Sequence, residues 1–216
     1  MILDLREVGW TDWLKAVFDH PVPVTRNADE WYWDSDLQLL VNPRVQIEFF
    51  ARMCSEPGVL LDLFTLDQID QGLWYIFGAG GEDDFSHHLW NADVPWAIRQ
   101  RAISSIPKLW PGLFERADVG SMSHMIWDSL AYDYDGGPLY PEGDAEAKRV
   151  QDAMFRALTE QLVSDVAETQ SAALHGLGHL RHPSTARELR SFLVRPSLDE
   201  DVRAYARAIM QGKPIL

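Results

Sequence analysis

The segment 168–210 constrains the fold of this chain more than any other part of the sequence. Two proline turns, His182-Pro183 and Arg195-Pro196-Ser197, divide it into three stretches. Proline lacks a backbone N–H and clashes inside a helix, so each turn separates one helix from the next. Three acidic residues at 199–201 open the last stretch, where the helix macrodipole favours negative charge. The segment therefore predicts three short helices joined by tight turns.

Two glycines lie inside the first of these predicted helices. Gly176 and Gly178 each cost about 1 kcal/mol relative to alanine in a helix interior. Such a cost is tolerated where a neighbouring helix needs to approach closely. The pattern therefore predicts tight helix packing around this segment.

Helix-start signals recur in the first third of the chain. Thr11 is a candidate N-cap for a helix that contains "TDWLKAVF". Asn42 followed by Pro43 predicts a cap with proline at the first helical position, where its missing N–H costs nothing. Thr65 and Gln68 have the spacing of a capping box. These signals predict successive helices in this region.

A long helix is predicted after Asp144, because apolar residues recur there about every four positions: Val150, Met154, Leu158, Leu162 and Val166. The segment 36–41, "DLQLLV", has the composition of a strand, but no partner strand is evident. We therefore expect an all-α fold of stacked antiparallel helical hairpins.

The tail also resembles a HEAT-like repeat of the bacterial kind. The resemblance rests on small apolar residues in the first helix, a turn with proline at its second position, an apolar second helix, and an acidic residue followed by Val-Arg where the next repeat begins. The residues that fit this pattern are Ala172, Ala173, Leu174, Leu177, Gly178, Leu180, His182, Pro183, Leu189, Phe192, Leu193, Asp201, Val202 and Arg203. A weaker match to the same repeat pattern occurs at residues 92–106. With "QIDQGLWYIF", these segments resemble an uncharacterised bacterial HEAT-containing family. The resemblance implies a partly irregular α-solenoid and no particular activity.

Length and composition favour one domain over residues 1–216. A stretch rich in Gly, Pro and Asp at 135–143 suggests a subdivision into an irregular acidic part, 1–142, and a HEAT-like part, 143–216. No apolar run approaches the roughly 20 residues of a membrane span, and the chain begins without a signal-peptide pattern. The single Cys54 excludes an intrachain disulfide. We expect a cytoplasmic protein that contacts no membrane.

Negative charge is concentrated in the first two thirds of the chain. The formal net charge is −14, and residues 147–216 hold ten Lys/Arg against eight Asp/Glu, so residues 1–146 carry −16. No basic residue occurs between Arg116 and Lys148. Phosphate backbones repel such a surface, so nucleic acid is not an expected partner. The acidity either attracts a basic protein or only keeps the chain soluble.

Histidines in the tail raise the question of a metal site. His175 and His179 lie on one helix face, as in the zinc motif H-E-x-x-H, but residue 176 is Gly and the general-base Glu is missing. Glu168 lies too far along the same helix to share an ion directly. A third ligand would come from elsewhere, and the other candidates are His124, His87 and His88. Packed, hydrogen-bonded histidines are the favoured interpretation, with no catalytic residue, metal or cofactor.

The sequence thus favours a protein-binding module. The more specific hypothesis is an acidic immunity-type protein that neutralises a basic toxin or enzyme in the cytoplasm. The contact residues are expected among aromatic and acidic side chains: Trp31, Trp33, Asp34, Asp36, Glu82, Asp83, Asp84, Asp133, Asp135 and Glu142. The alternatives are a metal-dependent hydrolase that uses His175 and His179, and a self-associating scaffold. The sequence leaves the oligomeric state open.

Overall fold

A computed structural model describes most of the chain: residues 2–23, 30–33, 38–78, 85–120, 122–131 and 144–212. The chain divides into two compact units, Met1–Ser123 and His124–Leu216. The described residues are mostly helical, which confirms the all-α class. The subdivision into 1–142 and 143–216 stays a prediction, because residues 132–143 lie outside the described ranges.

The N-terminal unit consists of helices around a buried aromatic core. Its α-helices are α1 (Trp10–Phe18), α2 (Pro43–Ser55), α3 (Gly58–Leu63), α4 (Leu66–Gly78), α5 (Phe85–Trp90) and α6 (Trp96–Ser105). A 3-10 turn at Trp31–Trp33, another at Ile106–Lys108 and a π-helical turn at Trp110–Phe114 complete the helical elements described there.

Helix α2 is central to this unit, since it packs against both α5 and α6. Trp13 on α1 is buried and donates from its indole N–H to Gln46 Oε1 on α2 at 2.6 Å. Phe18 on α1 fills the space that a side chain at Gly72 on α4 would occupy. Buried aromatic rings and one buried polar bond therefore fix the position of α1.

The expectation that residues 36–41 have no strand partner is wrong. Strand β1 (Ile2–Asp4) pairs in parallel with strand β2 (Gln38–Leu40), with Leu3 opposite Leu39. The N–H of Leu5 donates to the carbonyl of Leu40 at 2.7 Å. The partner strand is short and distant in sequence, so no local pattern identifies it.

Most of the predicted N-caps are confirmed. The Asn42 side chain accepts a hydrogen bond from the N–H of Arg44 at 3.1 Å. The N–H of Gln68 donates to Thr65 Oγ1, and the Gln68 amide oxygen accepts from the N–H of Thr65. Thr11 is not a cap, because α1 begins at Trp10 and Gly9 occupies the cap position.

The C-terminal unit contains most of α7 (Met122–Ala131), together with α8 (Ala145–Gln161), α9 (Ala167–Leu180), α10 (Thr185–Phe192) and α11 (Glu200–Met210). Asp144 caps α8 by accepting from the N–H of Glu146 at 2.8 Å. Helix α9 ends at Leu180, and the C-cap residue Arg181 has a left-handed φ of 48°. The three tail helices and their turns lie where the proline pattern predicts them.

Packing joins α8 to α9, α9 to α11 and α10 to α11. The predicted apolar stripe is buried at Val150, Met154 and Leu158, but α8 ends at Gln161, so Leu162 and Val166 lie beyond it and Val166 is exposed. The HEAT-like arrangement of these helices stays a prediction. Among the described residues, every helix is too short or too polar to cross a membrane.

Candidate metal centre

Close contact between helices α7 and α9 creates the site. A Cβ atom added at Gly176 on α9 would lie 2.6 Å from the Cβ of Trp127 on α7 and 2.7 Å from a methyl carbon of Leu158 on α8. The predicted close approach at Gly176 is therefore confirmed. Because Trp127 fits against this glycine, the next residue, Asp128, is brought to the face of α9 that carries His175 and His179.

A buried hydrogen-bond chain holds this arrangement. The indole N–H of Trp127 donates to Gln161 Oε1 at 3.1 Å. The amide nitrogen of Gln161 donates to the carbonyl of Thr169 at 3.1 Å. One glutamine at the end of α8 thus links α7 to the first turn of α9, on the buried side of the site.

Asp128, His175 and His179 bring one ligand atom each to a common point. Nε2 of His175 lies 3.0 Å from Asp128 Oδ2, and Nε2 of His179 lies 3.2 Å from Oδ1. The imidazole centroids are 4.6 Å apart. The three ligand atoms all lie within 4.8 Å of one another. Around a tetrahedral zinc ion, donor atoms are about 3.4 Å apart, since each bond is about 2.0–2.2 Å. Small side-chain movements therefore suffice to place an ion between them.

The Asp128 carboxylate is incompletely satisfied by its neighbours. Its Oδ1 atom is buried and faces Nε2 of His179 at 3.2 Å, but no described residue donates an aligned hydrogen bond to it. The side chains of Asp128 and His179 are 19% and 20% exposed, so the pair is shielded but reachable from solvent. A buried carboxylate oxygen that lacks an aligned hydrogen bond fits a position where a cation binds.

Tyr205 on α11 orients the first imidazole. Its hydroxyl lies 2.8 Å from Nδ1 of His175. An ionised Asp128 only accepts, so Nε2 of His175 carries the proton here and Nδ1 accepts from the hydroxyl. If Nε2 binds a metal, the proton moves to Nδ1, and the same hydroxyl oxygen accepts it. Burial, and next the charge of Asp128, raise the pKa of Tyr205 to about 12, so it stays a neutral hydroxyl.

Electrostatics keep the second imidazole neutral. Burial lowers the pKa of His179, and the neighbouring His175 and Arg181 lower it further, while Asp128 opposes the shift. A neutral imidazole is the form that binds a metal. The site therefore offers an anionic carboxylate and at least one imidazole that favours its ligand form at neutral pH.

The other ligand candidates from the sequence are spread over the structure. His124 lies one helical turn before Asp128 on α7, close enough for its charge to interact with His175 and Asp128. His87 and His88 lie on α5, in the N-terminal unit. Glu168 lies in the first turn of α9 and influences His124 electrostatically.

The predicted partner-binding residues are mostly outside the described part of the chain. Trp31 is described and partly buried, and its ring stacks on His20 at 3.9 Å. Trp33 closes the same 3-10 turn, but its side chain is not described. The remaining eight residues lie outside the described ranges: Asp34, Asp36, Glu82, Asp83, Asp84, Asp133, Asp135 and Glu142.

Sequence reasoning missed two members of the cluster, Asp128 and Tyr205. The segment "SMSHMIWD" does contain a signal for the first, since His124 and Asp128 are four residues apart on one helix face, like His175 and His179. Two helices that each carry such a pair form a ligand set when they pack together. No comparable signal exists for Tyr205, which lies 30 residues from His175.

Comparisons of the chain with protein-family models, curated proteins and solved structures find no match. The resemblance of the tail to HEAT-like repeats is therefore neither supported nor contradicted by a relative.

Proposed function

We propose that the protein is a metal-dependent hydrolase whose divalent ion is bound by Asp128, His175 and His179. The observation that carries this proposal is the convergence of one carboxylate oxygen and two imidazole nitrogens within 4.8 Å. The unsatisfied Oδ1 of Asp128 supports it, because a cation would neutralise that oxygen. Tyr205 supports it as the outer hydrogen-bond partner that metal-binding histidines usually have.

The donor set indicates the class of ion and the chemistry. Imidazole nitrogen with carboxylate oxygen suits Zn²⁺, Fe²⁺, Ni²⁺ and related ions better than Ca²⁺ or Mg²⁺, which prefer oxygen ligands alone. A bound ion of this class lowers the pKa of coordinated water and so generates hydroxide near neutral pH. Held by Asp128, His175 and His179, such an ion would supply a nucleophilic water for hydrolysis of an ester or phosphoester, whose leaving group would take a proton from solvent.

Metal analysis and titration test the proposal directly. Untagged protein is expected to bind one Zn²⁺ or Co²⁺ per chain, measured by elemental analysis and by calorimetry. Asp128→Asn, His175→Gln and His179→Gln are each expected to raise the Kd by about 100-fold or more, above the 10–100-fold cost of losing an outer-shell partner. Loaded wild-type protein is expected to hydrolyse an activated ester or phosphoester probe.

His182 provides a matched control in the same unit. It is buried, lies 2.9 Å from Asp152 and stacks on Phe155. This histidine–carboxylate pair has no third ligand among the described residues. His182→Gln is therefore expected to keep metal affinity while circular dichroism reports any loss of fold. Wild-type protein that binds no ion would leave the cluster as a hydrogen-bond network and contradict the proposal. Binding without hydrolysis of either probe would contradict its hydrolase part.

A second candidate function is the binding of a basic protein by the N-terminal unit. One observation favours it: Asp70, Asp67 and Glu30 lie close enough to repel one another electrostatically. Burial raises the pKa of Asp70, and the negative charges of Asp67 and Glu30 raise it further. A cationic side chain from a partner would relieve this repulsion, in line with the acidic immunity-type hypothesis.

A pull-down at low and high salt tests this second candidate. The expected result is a basic partner that is retained at low salt and released at high salt, because exposed charges are screened. Asp70→Asn is expected to weaken the capture, whereas Asp128→Asn in the other unit is expected to leave it unchanged. Capture that is insensitive to salt would contradict an electrostatic role for this region.

A further inference from the structure

We infer that His124 is a fourth protein ligand of the ion, which completes a set of three imidazoles and one carboxylate. This inference rests on the proposed metal site and extends it. His124 and Asp128 are separated by four residues on α7, so they lie on the same face of that helix. The His175–His179 pair has the same spacing on α9. The site is thus built from two facing helices that each contribute an i, i+4 pair.

His124 interacts electrostatically with two of the three ligand residues, His175 and Asp128. Burial and then the neighbouring His175 lower its pKa, while Asp128 and Glu168 act in the opposite direction. Charge–charge effects of this kind act over short distances in a folded protein. The helical spacing places His124 one turn from Asp128, and the lowered pKa favours the neutral imidazole, which is the form that binds a metal.

His124 is positioned to move into the coordination sphere. The ring lies outside the compact group of three ligand atoms, and the residue is exposed. Among the described residues none forms a hydrogen bond with it. Rotation about its two side-chain bonds then moves the ring between staggered positions without breaking an interaction. Entry of the ion supplies the first strong partner for this imidazole.

Four protein ligands have a consequence for the choice of metal. They close a tetrahedral zinc site, whereas a five- or six-coordinate ion keeps a position for water or substrate. An ion that prefers higher coordination numbers, such as Fe²⁺, Co²⁺ or Ni²⁺, therefore fits the complete set and the proposed hydrolysis together.

The experiment compares His124→Ala with wild-type protein, both untagged and titrated with Zn²⁺ and Co²⁺. We expect His124→Ala to raise the Kd by about 10–100-fold, at least the cost of losing an outer-shell partner. We also expect a shift in the visible spectrum of bound Co²⁺, since one nitrogen ligand is replaced by water. Added imidazole is expected to restore the wild-type spectrum by occupying the space of the missing ring. A merely structural role would not give this rescue.

His87→Ala is the control, because His87 is an exposed histidine in the N-terminal unit. It is expected to leave both the Kd and the Co²⁺ spectrum unchanged. If wild-type protein binds the ion and His124→Ala binds it with the same Kd and spectrum, the fourth-ligand inference is overturned while the three-ligand site stands. If wild-type protein binds no ion, the proposed function fails, and the inference fails with it.

Discussion

At the scale of single residues, the most informative side chain in the C-terminal unit is Tyr205. It lies 2.8 Å from His175 Nδ1 and accepts or donates according to the state of the imidazole. Loss of its hydroxyl leaves a partly buried Nδ1–H without an acceptor once Nε2 binds a metal. The side chain contacts no ion itself, so it is a positioning residue.

Tyr205→Phe is expected to raise the Kd for Zn²⁺ by about 10-fold, at the low end for an outer-shell partner. The reason is that the ring of His175 loses the bond that fixes its orientation. Isothermal titration calorimetry measures the change, with Tyr75→Phe in the N-terminal unit as the control. An unchanged Kd would show that Tyr205 does not orient the ligand.

The environment of a second residue, Asp70, leads to a prediction about the stability of the fold. Its pKa is raised by burial and by Asp67 and Glu30, so the ionised carboxylate destabilises the folded state at neutral pH. Asp70→Asn is expected to raise the free energy of unfolding at pH 7 by less than about 1 kcal/mol, because the amide removes the repulsion from Asp67 and Glu30 while solvent already screens part of it. A thermal melt is expected to show an increase of no more than about 2–4 °C for a chain of this size.

The pH dependence of this effect follows from linkage. A carboxyl whose pKa is raised on folding binds more protons in the native state, so the wild-type protein regains this stability as the pH falls through the native-state pKa. The difference between Asp70→Asn and wild type is therefore expected to shrink at acidic pH. Asp67→Asn, at an exposed position, is expected to have a smaller effect. A constant difference across pH would contradict the assignment.

At the scale of elements, Gly176 decides how α7, α8 and α9 meet. The sequence predicts close packing from the cost of glycine in a helix, and the structure identifies the neighbours as Trp127 and Leu158. The neighbours are not predictable from sequence, because α7 lies far from α9 along the chain. Helix caps, in contrast, depend on residues within one turn, which is why Asn42, Thr65 and Asp144 are predicted correctly.

Gly176→Ala separates helix propensity from packing. In an open helix, alanine would stabilise by about 1 kcal/mol. Here the added methyl group meets Trp127 and Leu158, so the free energy of unfolding is expected to fall by about 1–3 kcal/mol, as for an overpacked core. Urea denaturation measures this change. A gain in stability at Gly176 would mean that the helices move apart easily.

At the scale of the whole molecule, metal binding and stability are linked. An ion that binds only the folded state stabilises it by about 2.7 kcal/mol when its free concentration is 100 times the Kd. The melting transition is therefore expected to move upward on addition of Zn²⁺ or Co²⁺ and to return when a chelator is added. Asp128→Asn is expected to abolish this shift, which differential scanning calorimetry measures.

Acid is expected to weaken both metal binding and the stability of the fold. Protons compete with the ion for the imidazoles, so the Kd is expected to rise as the solution is made acidic, and the lowered pKa of His179 moves its share of this effect to lower pH. Without metal, the lowered pKa of His179 means that the unfolded state binds more protons. The free energy of unfolding is therefore also expected to fall as the pH drops through this range. A Kd that does not change with pH would contradict imidazole ligands.

The sequence by itself determined the helical class, several of the helix caps, the proline turns of the tail and the shared face of His175 and His179. All of these depend on residues within a few positions of one another, where backbone geometry and capping chemistry act. Only the tertiary structure decided that β1 pairs with β2, that Trp127 packs on Gly176, and that Asp128 and Tyr205 meet His175. Those contacts join segments tens of residues apart, and their formation depends on the packing of complete helices and on the exclusion of water between them.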